Sequence, residues 1–318
     1  MAILCMILAH TYPNDSYEFD KVPFVIRLIS SLAAPLFLFL VGFNFNPKHK
    51  MNLVLMKKIL LTLILAAAVD VFLWEIIPFY SYDILYLIGI SIFALIGIGK
   101  WSNASQIILI LILIIGALLY QFFGLYALEV HELSFSEFAA FSWGEMFNNM
   151  LFNGWFPIFP WMIFPIIGMQ YKRNFDAIKS TNLMVVCIPV FVFLVYLESL
   201  SPSLKRFLSL ELFYPADLFY LGYSIAFVGI CVHVFHAINW GKRDFLQLLG
   251  KPSLFFYGFH LFFIHLTFDF VDAFFGSILI VFAVYVFFFI LCSYLIEFWK
   301  VSSFYPENSV LFGFLFGK

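Results

Sequence analysis

Residues 107–119 read Ile-Ile-Leu-Ile-Leu-Ile-Leu-Ile-Ile-Gly-Ala-Leu-Leu, and runs of this kind recur along the whole chain. A helix that crosses a hydrocarbon core of roughly 30 Å needs about 20 predominantly apolar residues. Within that core every backbone N–H and C=O must be satisfied internally, which leaves only helices and closed barrels. Barrel strands alternate apolar with polar residues in segments of about ten, and the uninterrupted runs here do not alternate. Of 318 residues, 64% are hydrophobic and 11% charged, against about 45–50% and about 25% in soluble domains. The expected fold is therefore all-α, a polytopic transmembrane helix bundle forming a single domain over residues 1–318.

Ten apolar segments stand out, at residues 1–9, 22–43, 59–79, 84–98, 107–123, 156–169, 183–197, 218–237, 254–271 and 277–298. The first rises only about 14 Å as a helix, half a span. Either the native chain starts upstream, leaving a truncated first helix, or the segment is a half-span enclosed by its neighbours; the first is the expectation. The sixth segment carries Pro157, Pro160 and Pro165, so it cannot be a regular helix throughout. Irregular backbone at membrane depth is tolerated only when buried in protein or lining a cavity, so this segment is expected to border one.

The cations give a direction. With the N-terminus in the cytoplasm, alternate loops collect Lys48, Lys50, Lys57, Lys58, Lys100, Lys172, Arg173, Lys179, Lys242, Arg243, Lys251, Lys300 and Lys318, thirteen of the 17 Lys and Arg residues. This is the positive-inside pattern, and it predicts a multi-pass protein of the cell membrane with both termini cytoplasmic. The longest stretch between spans, residues 124–155, then becomes an extracytoplasmic loop with Glu129, Glu132, Glu137 and Glu145 and no Lys or Arg. Phe135, Phe138, Ala139, Met146, Phe147 and Met150 recur near helical spacing, which predicts a helix lying in the interface. Its Glu and Trp residues read either as a solvated face with an aromatic belt or as one wall of a polar-substrate mouth.

A net charge of -2 with scattered cations excludes nucleic-acid binding. The four cysteines, Cys5, Cys187, Cys231 and Cys292, lie in apolar runs without Cys-x-x-Cys spacing and indicate neither a disulfide framework nor a thiolate metal site. Ionisable residues inside apolar segments are the informative ones, because lipid makes them costly. Asp70 lies near mid-segment, either in a site or as a buried hydrogen-bonded carboxyl. His10 ends the first segment and is followed by Asp15; it reads as a solvated interfacial residue or as a general base with a carboxylate neighbour. His233 and His236 lie in the eighth segment and His260 and His265 in the ninth, but the last two are about 140° apart on a helix of 3.6 residues per turn. That spacing disfavours haem or metal, and neither is expected.

Several motifs, in order along most of the chain, resemble the bacterial and archaeal relatives of heparan-α-glucosaminide N-acetyltransferase, a family of multi-helix membrane acyltransferases. The run ending at His10 looks like the end of the family's first helix. Pro35-Leu36-Phe37-Leu38-Phe39-Leu40-Val41-Gly42 looks like its Phe-Leu-x-x-Gly signature. Asp83-Ile84-Leu85-Tyr86-Leu87-Ile88-Gly89 is similar to a Gly-Ile-Leu-His segment, with Tyr86 at the His position. Phe156-Pro157-Ile158-Phe159-Pro160-Trp161, followed by Gly168, matches a Phe-Pro-x-x-Pro-Trp run, and Leu249-Gly250-Lys251-Pro252-Ser253-Leu254 through Tyr257 to His260 matches an element opening a late helix. The family's Asp-x-x-Arg-Gly before the first His is absent.

What the resemblance implies is a membrane acyltransferase. Acetyl-CoA or another acyl-CoA would be the donor on the cytoplasmic side, and an amine or hydroxyl on a small molecule or glycan, in particular a sugar, the acceptor at the outer face. His10 would deprotonate the acceptor or carry the acyl group, supported by His260 and Asp15. Lys48, Lys50, Arg173, Lys242, Arg243 and Lys251 would meet the CoA phosphates, although positive-inside bias alone accounts for cations there. Trp155, Trp161, Tyr86 and Asp70 would contact the acceptor. The alternative is a polytopic transporter or channel-like protein with Asp70, Glu75 and Arg27 lining a polar pathway. Its partners are the lipid bilayer and the acceptor, and the oligomeric state is left open.

Overall fold

In the computed structural model, the structure describes residues 1–11, 23–46, 51–127, 130–174, 183–199, 213–214, 216–237, 245–275, 277–302, 306 and 309–316. Each of the ten apolar segments is helical there, and among the described residues there is no strand, only an isolated bridge between Ile76 and Ser134. Five stretches are long and apolar enough to cross a membrane: Phe24–Asn44, Asn103–Phe122, Trp143–Arg173, Leu218–Phe235 and Ile278–Lys300. Ile84–Ile98, Met184–Leu197 and Ser253–Phe268 are shorter apolar helices. The chain is an all-α membrane helix bundle.

The helices group into two compact units. The first takes residues Met1–Ala33 and Asn239–Lys318, with α1 (Ala2–Ala9), α2 (Phe24–Ser31), α12 (Phe245–Gly250), α13 (Ser253–Phe275), α14 (Ile278–Lys300) and α15 (Val310–Phe316). Short α1 packs against α2, α13 and α14. Ala2, Ile3, Cys5, Met6, Ile7 and Leu8 are all buried, so protein encloses this helix on nearly every side. A ladder of rings, Phe256, Phe259, Phe263, Tyr285, Phe288 and Phe289, joins α13 to α14, with Phe263 and Phe288 stacked at 4.0 Å.

The second unit takes Ala34–Phe207 and Glu211–Ile238. It contains α3 (Ala33–Asn44), α4 (Leu53–Val69), α5 (Ile84–Ile98), α6 (Asn103–Phe122), α7 (Trp143–Asn148), α8 (Ile158–Trp161), α9 (Ile163–Arg173), α10 (Leu183–Ser199) and α11 (Leu218–Ala237). Asn52 caps α4 through Leu55 N–H, and Ser102 caps α6 through Ser105 N–H, satisfying donors that a helix start leaves open. The proline-rich segment breaks as expected: α8 is a single turn, Phe159 is extended inside it, the Phe159–Pro160 peptide is cis, and a new helix starts at Ile163. Pro165 falls in the first turn of α9, where its missing N–H costs no helical bond.

Two glycines let α3 and α9 touch backbone to backbone. A Cβ on Gly42 would overlap the carbonyl of Pro165, and one on Gly168 would overlap the carbonyl of Phe39. Small residues that allow such approach are how helices associate in lipid, where apolar side chains gain nothing from leaving the surroundings.

Candidate functional site

In the first unit, the end of α1 and the middle of α13 bring two imidazoles together. His10 caps α1, its N–H bonded to Ile7 O, and its half-buried ring lies 5.0 Å from that of His260 at 60°. His260 is fully buried. Its Nδ1 lies 2.9 Å from Phe256 O and 2.5 Å from Tyr257 O. Carbonyls only accept, so Nδ1 carries the proton and Nε2 of the neutral ring carries a lone pair. That Nε2 is buried and has no hydrogen-bond partner among the described residues. Pro252 and Ser253 open α13 and Phe256 N–H bonds Pro252 O, which fixes the register that turns His260 inward. His265 is exposed, consistent with its different helical face, and His233 lies on α11 in the second unit.

In the second unit, polar side chains concentrate where α4 gives way to α5. The last turn of α4 widens at Asp70–Trp74, and Glu75, Phe79 and Tyr82 then take φ values of 54°, 67° and 58°. Non-glycine residues in the left-handed region are strained and cluster at functional sites. The turn pays for that strain in hydrogen bonds: Tyr86 Oη donates to Asp70 Oδ2 at 2.5 Å and accepts from Phe79 N–H at 3.1 Å. Asp70, Tyr82 and Tyr86 are buried. Asp70 Oδ1, Tyr82 Oη and the indole N–H of Trp161 are buried without hydrogen-bond partners among the described residues. Tyr82 stacks on Tyr86 at 5.8 Å, and its carbonyl accepts from Phe156 N–H, whose ring lies 4.9 Å from Trp161. Burial raises the Tyr82 hydroxyl above its ordinary pKa. Sequence reading missed Tyr82, since a left-handed backbone at a tyrosine leaves no sequence signal.

The loop beside this turn is more ordered than a solvated face requires. Ser134 and Glu137 form a capping box on the short helix Phe135–Ala140, and that hydrogen bond holds the exposed Glu137 carboxyl below its usual range. The indole N–H of Trp155 donates to Glu132 Oε1 at 2.7 Å, and its ring meets Tyr214 at 5.5 Å. Glu145 accepts from Tyr80 Oη at 2.7 Å and from His131 Nδ1 at 2.8 Å. Burial, then the Glu145 carboxylate, pushes the Tyr80 hydroxyl up to about 12. Phe135, Phe138, Trp143 and Phe147 are exposed.

Of the predicted cations, Arg173 donates to Trp101 O at 3.3 Å, to Asn103 Oδ1 at 3.5 Å and to Gly99 O, holding carbonyls where α5 passes into α6. Lys251 pairs with Glu297 at 3.1 Å, which also binds Lys300 at 2.9 Å. Asp15, Lys48, Lys50, Lys242 and Arg243 lie outside the described residues. Among the described residues no three His, Cys, Asp or Glu side chains gather as a metal-ligand set.

Apolar helices long enough to span a bilayer, packed round a few buried polar groups, define an integral multi-pass membrane protein. Residues 1–208 match the model of the family described as heparan-alpha-glucosaminide N-acetyltransferase, catalytic, and the chain belongs to that family of membrane acetyltransferases. The match includes His10, Asp70, Tyr86, Trp155 and Trp161; His260 lies beyond it. The family in general uses acetyl-CoA as donor. No curated protein and no solved structure matches the chain.

Proposed function

We propose that this protein moves an acyl group, in particular acetyl, from cytoplasmic acyl-CoA to an amine or hydroxyl acceptor, in particular on a sugar, at the outer face of the cell membrane. The observation that carries the reading is the pair of imidazoles, His10 and His260, within 5.0 Å in a chain of an acetyltransferase family. His260 Nε2 is a fixed acceptor, since its ring is pinned through Nδ1. It orients His10 by taking an N–H from it after a small approach, which leaves the other His10 nitrogen as base or nucleophile. As base, that nitrogen takes the acceptor's proton while the acceptor attacks the thioester. As nucleophile, it first takes the acyl group and releases the CoA thiol, and the acceptor then attacks the acyl-imidazole.

The reading assigns Lys48, Lys50, Arg173, Lys242, Arg243 and Lys251 to the CoA phosphates. Asp15 supports His10. Asp70 Oδ1, the Trp161 N–H, Tyr86 and Trp155 contact the acceptor. The unpartnered carboxyl oxygen calls for a donor and the indole for an acceptor, which is what a ring bearing hydroxyls or an amine supplies. Both termini are cytoplasmic, and residues 124–155 form the outer loop, with its exposed rings in the interface.

The test is His10→Ala in reconstituted vesicles supplied with labelled acetyl-CoA. Loss of labelled product, with unchanged elution and unfolding temperature, is expected; retained transfer removes His10 from the reaction.

A further inference from the structure

His131 faces solvent, yet both its ring and its backbone carbonyl are held. Its Nδ1 lies 2.8 Å from Glu145 Oε1, while the other oxygen of the same carboxylate accepts from Tyr80 Oη at 2.7 Å. Asn149 Nδ2 donates to Tyr80 O at 2.9 Å and to His131 O at 3.4 Å, so one side chain ties both arms of the arrangement together. The rings of Tyr80 and His131 meet edge to face at 5.8 Å. A carboxylate only accepts, so the proton of the neutral ring is on Nδ1 and the lone pair is on Nε2. The His131 side chain is 55% exposed, so the ring is open to solvent. Among the described residues the titratable and charged groups around it are Glu145 from α7, Tyr80 from the turn, Glu137 from the short helix and Glu132 next in the chain, and residues 124–155 contain no Lys or Arg. Beside them stands an aromatic platform, Trp155 on Tyr214, with Trp155 bonded to Glu132. An imidazole whose Nδ1–H is held by a carboxylate presents its Nε2 lone pair as the proton-accepting atom.

We infer that His131, oriented by Glu145, takes the proton from an ammonium-bearing acceptor as it arrives, delivering it as the free amine. The inference rests on the acyl-transfer reading and adds a step to it. His131 Nε2 forms a bond to one ammonium hydrogen, the N–H electron pair stays on nitrogen, and the imidazolium returns its proton to water. The amine then attacks the acyl carbonyl, and its second proton leaves with the CoA thiolate as thiol. An ammonium has no lone pair with which to attack, so below the amine's pKa the acceptor must lose this proton before it reacts.

The experiment compares wild type with His131→Gln in vesicles containing acetyl-CoA, using glucosamine at about pH 7, above the ordinary imidazole pKa but where an amine of α-amino type is still mostly an ammonium ion, and at about pH 9, where it is neutral. The expected result is a fall of about fivefold in kcat/KM for the variant at the lower pH, where roughly a tenth or more of such an amine is already neutral, and recovery to within about twofold of wild type at the higher. Methoxyamine, already neutral at both, is expected to be transferred equally by both proteins. An equal loss at both pH values, or with both acceptors, assigns His131 a structural role and overturns the inference. No loss at all overturns it too. Glu145→Gln, which preserves shape, is expected to give the same pattern more weakly, and serves if His131→Gln does not fold. A wild type that transfers acetyl to neither amine overturns the acyl-transfer reading itself, a failure distinct from a wild type and variant that behave alike.

Discussion

Tyr86 stands where the resembling motif has a histidine, and the structure shows what a phenol does there. It takes the Phe79 N–H and gives its own hydrogen to Asp70, closing two polar needs in an apolar setting. Tyr86→Phe therefore leaves a buried carboxyl and a backbone N–H unpaired, at a cost of about 1–3 kcal/mol for each buried group left unsatisfied. Thermal unfolding in detergent should show a lowered midpoint, and the double variant with Asp70→Asn should fall short of the sum of the single effects, as coupled partners do. Additive effects would mean that the two groups act independently. Asp70 was conspicuous in the sequence as a charge in an apolar run. Its partner was not, because the two lie on different helices, sixteen positions apart. His10 and His260 were likewise each visible singly, and only packing brings residues at opposite ends of the chain to 5.0 Å.

At the level of helices, the glycines carry different weights. Gly42 and Gly168 sit where α3 and α9 meet backbone to backbone, whereas a Cβ on Gly97 of α5 would meet nothing within 4 Å. Gly168→Ala is expected to destabilise by more than the 1–3 kcal/mol usual for overpacking, since a backbone cannot swing aside as a side chain can. Gly97→Ala is expected to stabilise by about 0.5–1 kcal/mol by removing backbone freedom from the unfolded chain. Unfolding midpoints of the two variants should therefore move in opposite directions, and a matching fall in both would show that helix contact is not the reason. The break in the proline-rich segment was legible in the sequence because proline lacks an N–H. The widened turn at Asp70–Trp74 and the left-handed residues after it were not, since they answer to the loop that Tyr80, Asn149 and Glu145 hold in place.

Across the whole molecule, charge supplies the remaining expectation. Under the proposed function, Lys242 and Arg243 face the CoA phosphates. Replacing both by Glu should weaken acetyl-CoA binding about tenfold or more at low ionic strength, with less effect at about 1 M salt, where the Debye length is roughly 3 Å. Equilibrium binding to the protein in nanodiscs measures this. Unchanged affinity would leave those cations with only the orientation of the chain to set.

The sequence by itself determined that this chain is an all-helical membrane protein, where its helices fall, and which few polar residues stand out. Those properties depend on local composition, because lipid demands apolar side chains and internally satisfied backbone over every span. It also carried the motifs of the acetyltransferase family that the match over residues 1–208 establishes. Only the tertiary structure decided which of those polar residues meet. His10 with His260, Asp70 with Tyr86, and His131 with Glu145 and Tyr80 are pairings across elements, set by how helices and loops pack and invisible to any window along the chain.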